Sequence, residues 1–271
     1  MNQKFKLTRV ALLLLSTGVL SSCSKTPENE TILNTVGPQY LESESRLNIY
    51  FPVDLTSDLS HLTENQKQML VLLIDASKVM DDLFWKQAFG EDKKSFLANI
   101  SNSKVKDFAA INYGPWDRLN GDKPFLSGYK TKAHGAEFYP SDMTKAEFEQ
   151  QDFNDKNGLY SIISRNDQGQ LTSIAFSEIY EDELNRAASI LKKAAQLAED
   201  KEFSNYLTMR AEALVTDNYQ PSDFAWMDMK NNPIDVVIGP IETYEDQLYG
   251  YRAAFESYVL IKDMAWSEKL A

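Results

Sequence analysis

The chain has 271 residues, 43% of them hydrophobic and 25% charged, with 28 Lys and Arg against 40 Asp and Glu for a net charge of −12. That length carries one large domain or two small ones around an ordinary core, which excludes wholesale disorder. The acidic balance excludes nucleic acid as a partner, and one Cys with two His supplies neither an intramolecular disulfide nor a thiolate-rich zinc site.

The first elements form an address. Lys4, Lys6 and Arg9 precede the apolar runs Val10–Leu15 and Gly18–Leu20. This is a signal-peptide core, too short for a membrane span of about 20 apolar residues. Leu20-Ser21-Ser22-Cys23 resembles the bacterial lipobox, so residues 1–23 are expected to be a lipoprotein signal peptide with Cys23 as the lipidated residue. The plainer alternative is an ordinary cleaved signal peptide with an incidental Cys. Lipidation places the protein in the bacterial cell envelope, anchored to the lipid membrane on its periplasmic or cell-surface side. Residues 24–46, with Pro27 and Gly37-Pro38, read as a polar tether.

Further along, Thr63 with Gln66 predicts a capping box for a helix reaching about Phe89. Met69, Leu70, Leu72, Leu73, Ile74, Val79, Met80, Leu83 and Phe84 give that helix a wide core-facing stripe, and Gly90 closes it. A short helix over 104–111 leads into an irregular stretch, 112–125, holding two Gly and two Pro. Thr144 with Glu147 predicts a second capping box for a helix over 145–151. Leu159–Ser164 and Leu171–Phe176 flank Asn166-Asp-Gln-Gly169, a hairpin signal. Helical spacing returns over 177–200 and again over 203–215, and β-branched or aromatic runs follow at Asp235–Ile238 and Phe255–Ile261. The expected class is α+β, with helices packed around antiparallel strands.

No familiar catalytic motif is present. His61 and His134 start no His-Glu-x-x-His helix, and a pairing of His134 with Glu137 is more readily chance than ligation. There is no nucleophile elbow, phosphate-cradling loop or dinucleotide fingerprint. The densest unusual stretch runs from Asp223 to Asp246. There the Val-Val-Ile strand is expected to stop at Gly239-Pro240, because Pro cannot continue a central ladder. If the next residues are extended, Glu242 and Tyr244 point to one side. A carboxylate there can hold a substrate ammonium while the phenol donates to a carbonyl oxygen as negative charge builds on it. Spacing alone is more readily met by a solvated edge with a Glu and a half-buried Tyr.

The stretch Trp226 to Val259, with Ile238-Gly-Pro-Ile-Glu-Thr-Tyr244, Gly250 and Phe255-Glu-Ser-Tyr-Val259, resembles the dipeptidyl peptidase III family of zinc exopeptidases in its bacterial lipoprotein branch. Asn112-Tyr113 with Gly121-Asp-Lys123 is similar to that family's substrate-cleft loop, and Tyr139-Pro140 with Met143-Thr144 to a further stretch. The resemblance spans about 47–271. It implies a two-lobed, membrane-anchored zinc dipeptidyl peptidase that releases dipeptides from the N-termini of short peptides. Residues 47–271 would form most of its lower lobe, with helices around a partial antiparallel β-barrel or sheet. By position it implies Tyr244 as the catalytic residue that stabilises the attacked carbonyl. Glu242 would bind the peptide amino terminus, and Ile241, Thr243, Asn112 and Tyr113 would make further substrate contacts. The family's zinc helix has no counterpart here, so this chain is expected to supply part of the peptide cleft, to hold no zinc ligand and to be inactive alone. Trp266–Ala271 reads as a helix begun and cut short, which makes an N-terminal fragment the expectation. The alternative is a non-catalytic peptide-binding lipoprotein.

Overall fold

The structure, a computed structural model, describes residues 37–42 and 44–270. Cys23 and the signal-like segment lie outside the described residues. In chain order the helices and strands are α1 (Glu64–Ala88), α2 (Lys93–Ala98), α3 (Ser103–Asn112), β1 (Trp116–Asp117), β2 (Lys123–Pro124), α4 (Lys145–Gln150), β3 (Ser161–Arg165), β4 (Leu171–Ala175), α5 (Phe176–Ile179), α6 (Glu181–Leu197), α7 (Lys201–Thr216), α8 (Gln220–Asp228), β5 (Ile234–Glu242), β6 (Ala254–Ile261) and α9 (Met264–Leu270). The class is α+β. The strands form three two-stranded antiparallel ladders, β1–β2, β3–β4 and β5–β6, and no barrel closes among the described residues.

These elements fall into two compact units. The smaller takes in the described chain up to Ser57 together with Lys94–Thr131. Its core is Phe96, Ile100, Val105, Phe108, Ala109, Phe125 and Leu126, with Phe108 and Phe125 edge to face at 4.8 Å. Asn102 caps α3 by accepting from the amides of Lys104 and Val105.

The larger unit comprises Asp58–Lys93 and Lys132–Ala271. Its centre is α1, which packs on α6, β5 and β6, while α7 lies on α6. Thr63 and Gln66 form the full capping box at the start of α1. Met69, Leu73, Val79, Met80 and Leu83 are buried, and Gly90 takes the positive φ of 82° that ends the helix. At α4 only half a box forms. The Glu147 amide donates to Thr144, but its carboxylate turns to the Arg165 guanidinium at 2.7 Å, a charged partner that outcompetes the backbone. Gly169, at φ 76°, turns the β3–β4 hairpin as its sequence predicted.

Two departures bear on the site. The helix expected over 177–200 is broken at Tyr180 (φ −115°), whose buried ring packs against Phe176 and Phe255, and α6 restarts behind it with three acidic residues at its N-terminus. The second departure is that β5 does not stop at Gly239-Pro240 but runs to Glu242. Pro240 stands opposite Phe255, and Phe255 gives its amide to the Gln87 side chain at 2.8 Å rather than to β5. That pair therefore has no ladder bond for proline to remove. Helix α8 carries no strong periodic signal, and its start at Gln220-Pro221 follows proline's tolerance in a first helical turn.

Candidate active site

The end of β5 is shaped from behind. Tyr206 on α7 donates to the Val236 carbonyl at 2.8 Å, pinning the strand to the helix layer. Three residues on, Gly239 adopts φ 130°, and an added Cβ would lie 3.2 Å from the ring of the buried Tyr219 and 3.6 Å from Arg210 Nη1. Only glycine gives the strand both the dihedral and the close approach. A register shift between Pro240 and Glu242 leaves Ile241 as the extra residue of a bulge, and such bulges re-aim the side chains that follow.

Beyond the bulge, exposure alternates. Ile241 and Thr243 are half-buried, Glu242 is exposed and Tyr244 is 79% exposed. The carboxylate and the phenol thus both reach solvent at the open end of β5, although Tyr244 already belongs to a turn rather than to the strand. Across the ladder, Glu256 faces Gly239 and accepts from the Tyr258 phenol at 2.9 Å. Burial, and then the charge of Glu242, raises the Glu256 carboxyl above its ordinary pKa. Tyr258 is pushed up to about 12, first by its hydrogen bond to Glu256 and then by burial. This end of the ladder is an acidic rim with phenols beside it, chemistry suited to an ammonium ion.

Tyr244 is carried by the loop from Thr243 to Ala253, and that loop is unusually well held. Asp246 is 2% exposed; its Oδ2 accepts from Tyr139 (2.7 Å), the Tyr251 amide (2.9 Å) and the Arg252 amide (3.2 Å). Its Oδ1 accepts from the amides of Leu248 (3.1 Å) and Tyr249 (3.2 Å). Glu245, next to Tyr244, forms a buried ion pair with Lys132. Gly250 supplies a positive φ of 68° and donates to the Asp246 carbonyl at 3.0 Å. Arg252, fully buried, donates from its guanidinium to the carbonyls of Asp155, Lys156 and Gly158 and to Ser161 Oγ. Sequence reasoning gave no role to Lys132, Glu245, Asp246 or Arg252, and took Tyr139 only as part of a stretch similar to the family. Only Asp246 had a local signal, an acidic residue four before a Gly in a non-periodic run.

Asn112 and Tyr113 lie in the smaller unit. Asn112 is 1% exposed and its side chain is used by the fold: Nδ2 donates to the Phe108 carbonyl at 2.9 Å, and Oδ1 accepts from the Arg118 amide at 3.0 Å and the Tyr50 hydroxyl at 3.1 Å. It anchors the irregular stretch after α3. Tyr113 has a left-handed φ of 54° and lies under the Arg118 guanidinium at 5.8 Å. The described residues do not fit a zinc ion. Among the described residues no group of three or more His, Cys, Asp or Glu is arranged to hold a metal, and His61 and His134 are both exposed. No described helix is long and apolar enough to cross a membrane.

Comparison with known proteins adds the following. Residues 155–271 match the model of peptidase family M49. The chain is similar to a solved structure of dipeptidyl peptidase III from Caldithrix abyssi, with 38% identity and a TM-score of 0.79, over 84% of this chain and 45% of that one. It is similar to dipeptidyl-peptidase III from Corallococcus sp. strain EGB at 31% identity and the same TM-score, over 84% of this chain and 44% of that one. A curated relative, Nudix hydrolase 3 of Arabidopsis thaliana, is 31% identical over 82% of this chain and 37% of its own length. The chain thus spans less than half of each of these relatives.

Proposed function

We infer from the match of residues 155–271 to peptidase family M49, and from the similarity to dipeptidyl peptidase III structures, that the chain forms the peptide-holding part of a zinc dipeptidyl peptidase releasing dipeptides from peptide N-termini. One observation carries this reading: Glu242 and Tyr244 are both exposed at the bulged end of β5, inside the matched residues. In the proposed complex, the Glu242 carboxylate takes the peptide's terminal ammonium, with Glu256 adding negative charge nearby. An extended peptide lies along the strand end, where the backbone of Ile241 and Thr243 offers ladder bonds. The phenol of Tyr244 then donates to the carbonyl oxygen as charge develops on it. Metal ligands are not among the described residues, so those of such an enzyme are proposed to come from elsewhere in it.

Binding of short peptides tests the reading. Glu242→Gln is expected to weaken a peptide with a free amino terminus by about tenfold or more, the scale of one charge-assisted contact, and to leave its N-acetylated counterpart within about twofold. Titration calorimetry measures both; equal loss for the two peptides would remove the ammonium role. The membrane anchor belongs to the same proposal and rests on Leu20-Ser-Ser-Cys23. Cys23→Ser is expected to move the protein from the detergent phase to the aqueous phase in a phase-partition assay, and retention in detergent would refute lipidation there.

A further inference from the structure

We propose that Tyr139 and Asp246 are positioning residues for catalysis, acting together through the loop to fix the phenol of Tyr244; this rests on the role given to Tyr244 above. Tyr244 stands at the solvent side of the loop at 79% exposure, so no packing of its own ring sets where it points. Its placement is inherited from the backbone two residues on. There Asp246 gathers four amides, from Leu248, Tyr249, Tyr251 and Arg252, onto one carboxylate. The Asp246 amide donates back to the Thr243 carbonyl at 3.1 Å, closing a turn around Tyr244 itself.

Among the described residues one side chain in turn holds the carboxylate, the Tyr139 phenol at 2.7 Å. Tyr139 is a rigid post. It is 8% exposed and sits edge-on to Phe148 at 5.9 Å and to Tyr249, a residue of the same loop, at 5.7 Å. The adjacent Lys132–Glu245 ion pair, with both side chains 5% exposed, fixes the other neighbour of Tyr244. An exposed donor meets a developing oxyanion at 2.7–3.1 Å only if the backbone beneath it does not wander, and a misplacement of about 1 Å costs up to about 10²-fold in rate.

The test is a double-mutant cycle in the active full-length peptidase. Tyr139→Phe removes one hydroxyl and keeps the ring, so the packing survives. It is expected to lower kcat about 3- to 10-fold with KM within about twofold, because Glu242 precedes the loop on β5. Asp246→Asn, which keeps one acceptor oxygen, is expected to cost about 10- to 100-fold in kcat. In a Tyr244→Phe background both changes should cost less than about twofold, since the group they position is gone. A second readout needs no turnover: 3-fluorotyrosine at position 244 should give one narrow 19F resonance that shifts or broadens in Tyr139→Phe. If Tyr244→Phe slows the enzyme but the Tyr139 and Asp246 effects are equally large in both backgrounds, or absent from the parent, the positioning role is overturned while that of Tyr244 stands. If Tyr244→Phe has no effect, both fall.

Discussion

Tyr244→Phe is expected to lower kcat of the active peptidase by about 10²–10³, with KM changed less than about threefold. The expectation follows from what the phenol is not doing. It is 79% exposed and its hydroxyl makes no hydrogen bond among the described residues, so the fold does not consume its donor. Deleting one oxygen at an exposed ring should leave stability within about 0.5 kcal/mol, and any large kinetic effect therefore reports on chemistry rather than on folding. A donor that engages only as charge builds on the carbonyl acts on the transition state alone, which is why kcat and not KM should carry the loss. Steady-state kinetics on a dipeptide-releasing substrate decides it, and a kcat within threefold of the parent would take the oxyanion role away from Tyr244.

The largest effect on stability is expected from Asp246→Ala, a loss of about 3–5 kcal/mol, the scale of breaking a buried charged network at one partner. At 2% exposure the carboxylate has exchanged water for five donors, four amides and the Tyr139 hydroxyl. Alanine leaves all five facing a gap. The Tyr139 phenol is already held well above its usual pKa, first by burial and then by its bond to Asp246, so it stays protonated and cannot serve as a substitute acceptor charge. Urea unfolding followed by circular dichroism measures the loss, and a change below about 1 kcal/mol would show that water or a neighbour satisfies the donors.

Much of the architecture could be read from local pattern. The capping box at Thr63 and Gln66, the Gly90 stop and the Gly169 hairpin each depend on residues within a few positions of one another. The shared exposure of Glu242 and Tyr244 agrees with a period-two reading of the strand end, although Tyr244 itself stands in a turn. What escaped was non-local. Proline at 240 breaks a ladder only if its opposite residue uses the ladder, and Phe255 bonds Gln87, 168 residues away. Tyr139 and Asp246 are 107 residues apart, and nothing beside either one announces the other. The Glu147 carboxylate left its predicted half of the box for Arg165 because a charged partner on the hairpin outweighs a neutral amide.

The burial of Arg252 reaches beyond geometry. Between Lys230 and Lys262 it is the sole basic side chain, and it is 0% exposed with its guanidinium closed over three carbonyls. Proteases that cut after Lys or Arg need an accessible side chain and a locally unfolded backbone, and this segment offers neither while native. The strand pair and its tyrosine-bearing loop therefore form a stretch sheltered from trypsin-like digestion, a useful property for a surface whose proposed work is to receive the free ends of other chains.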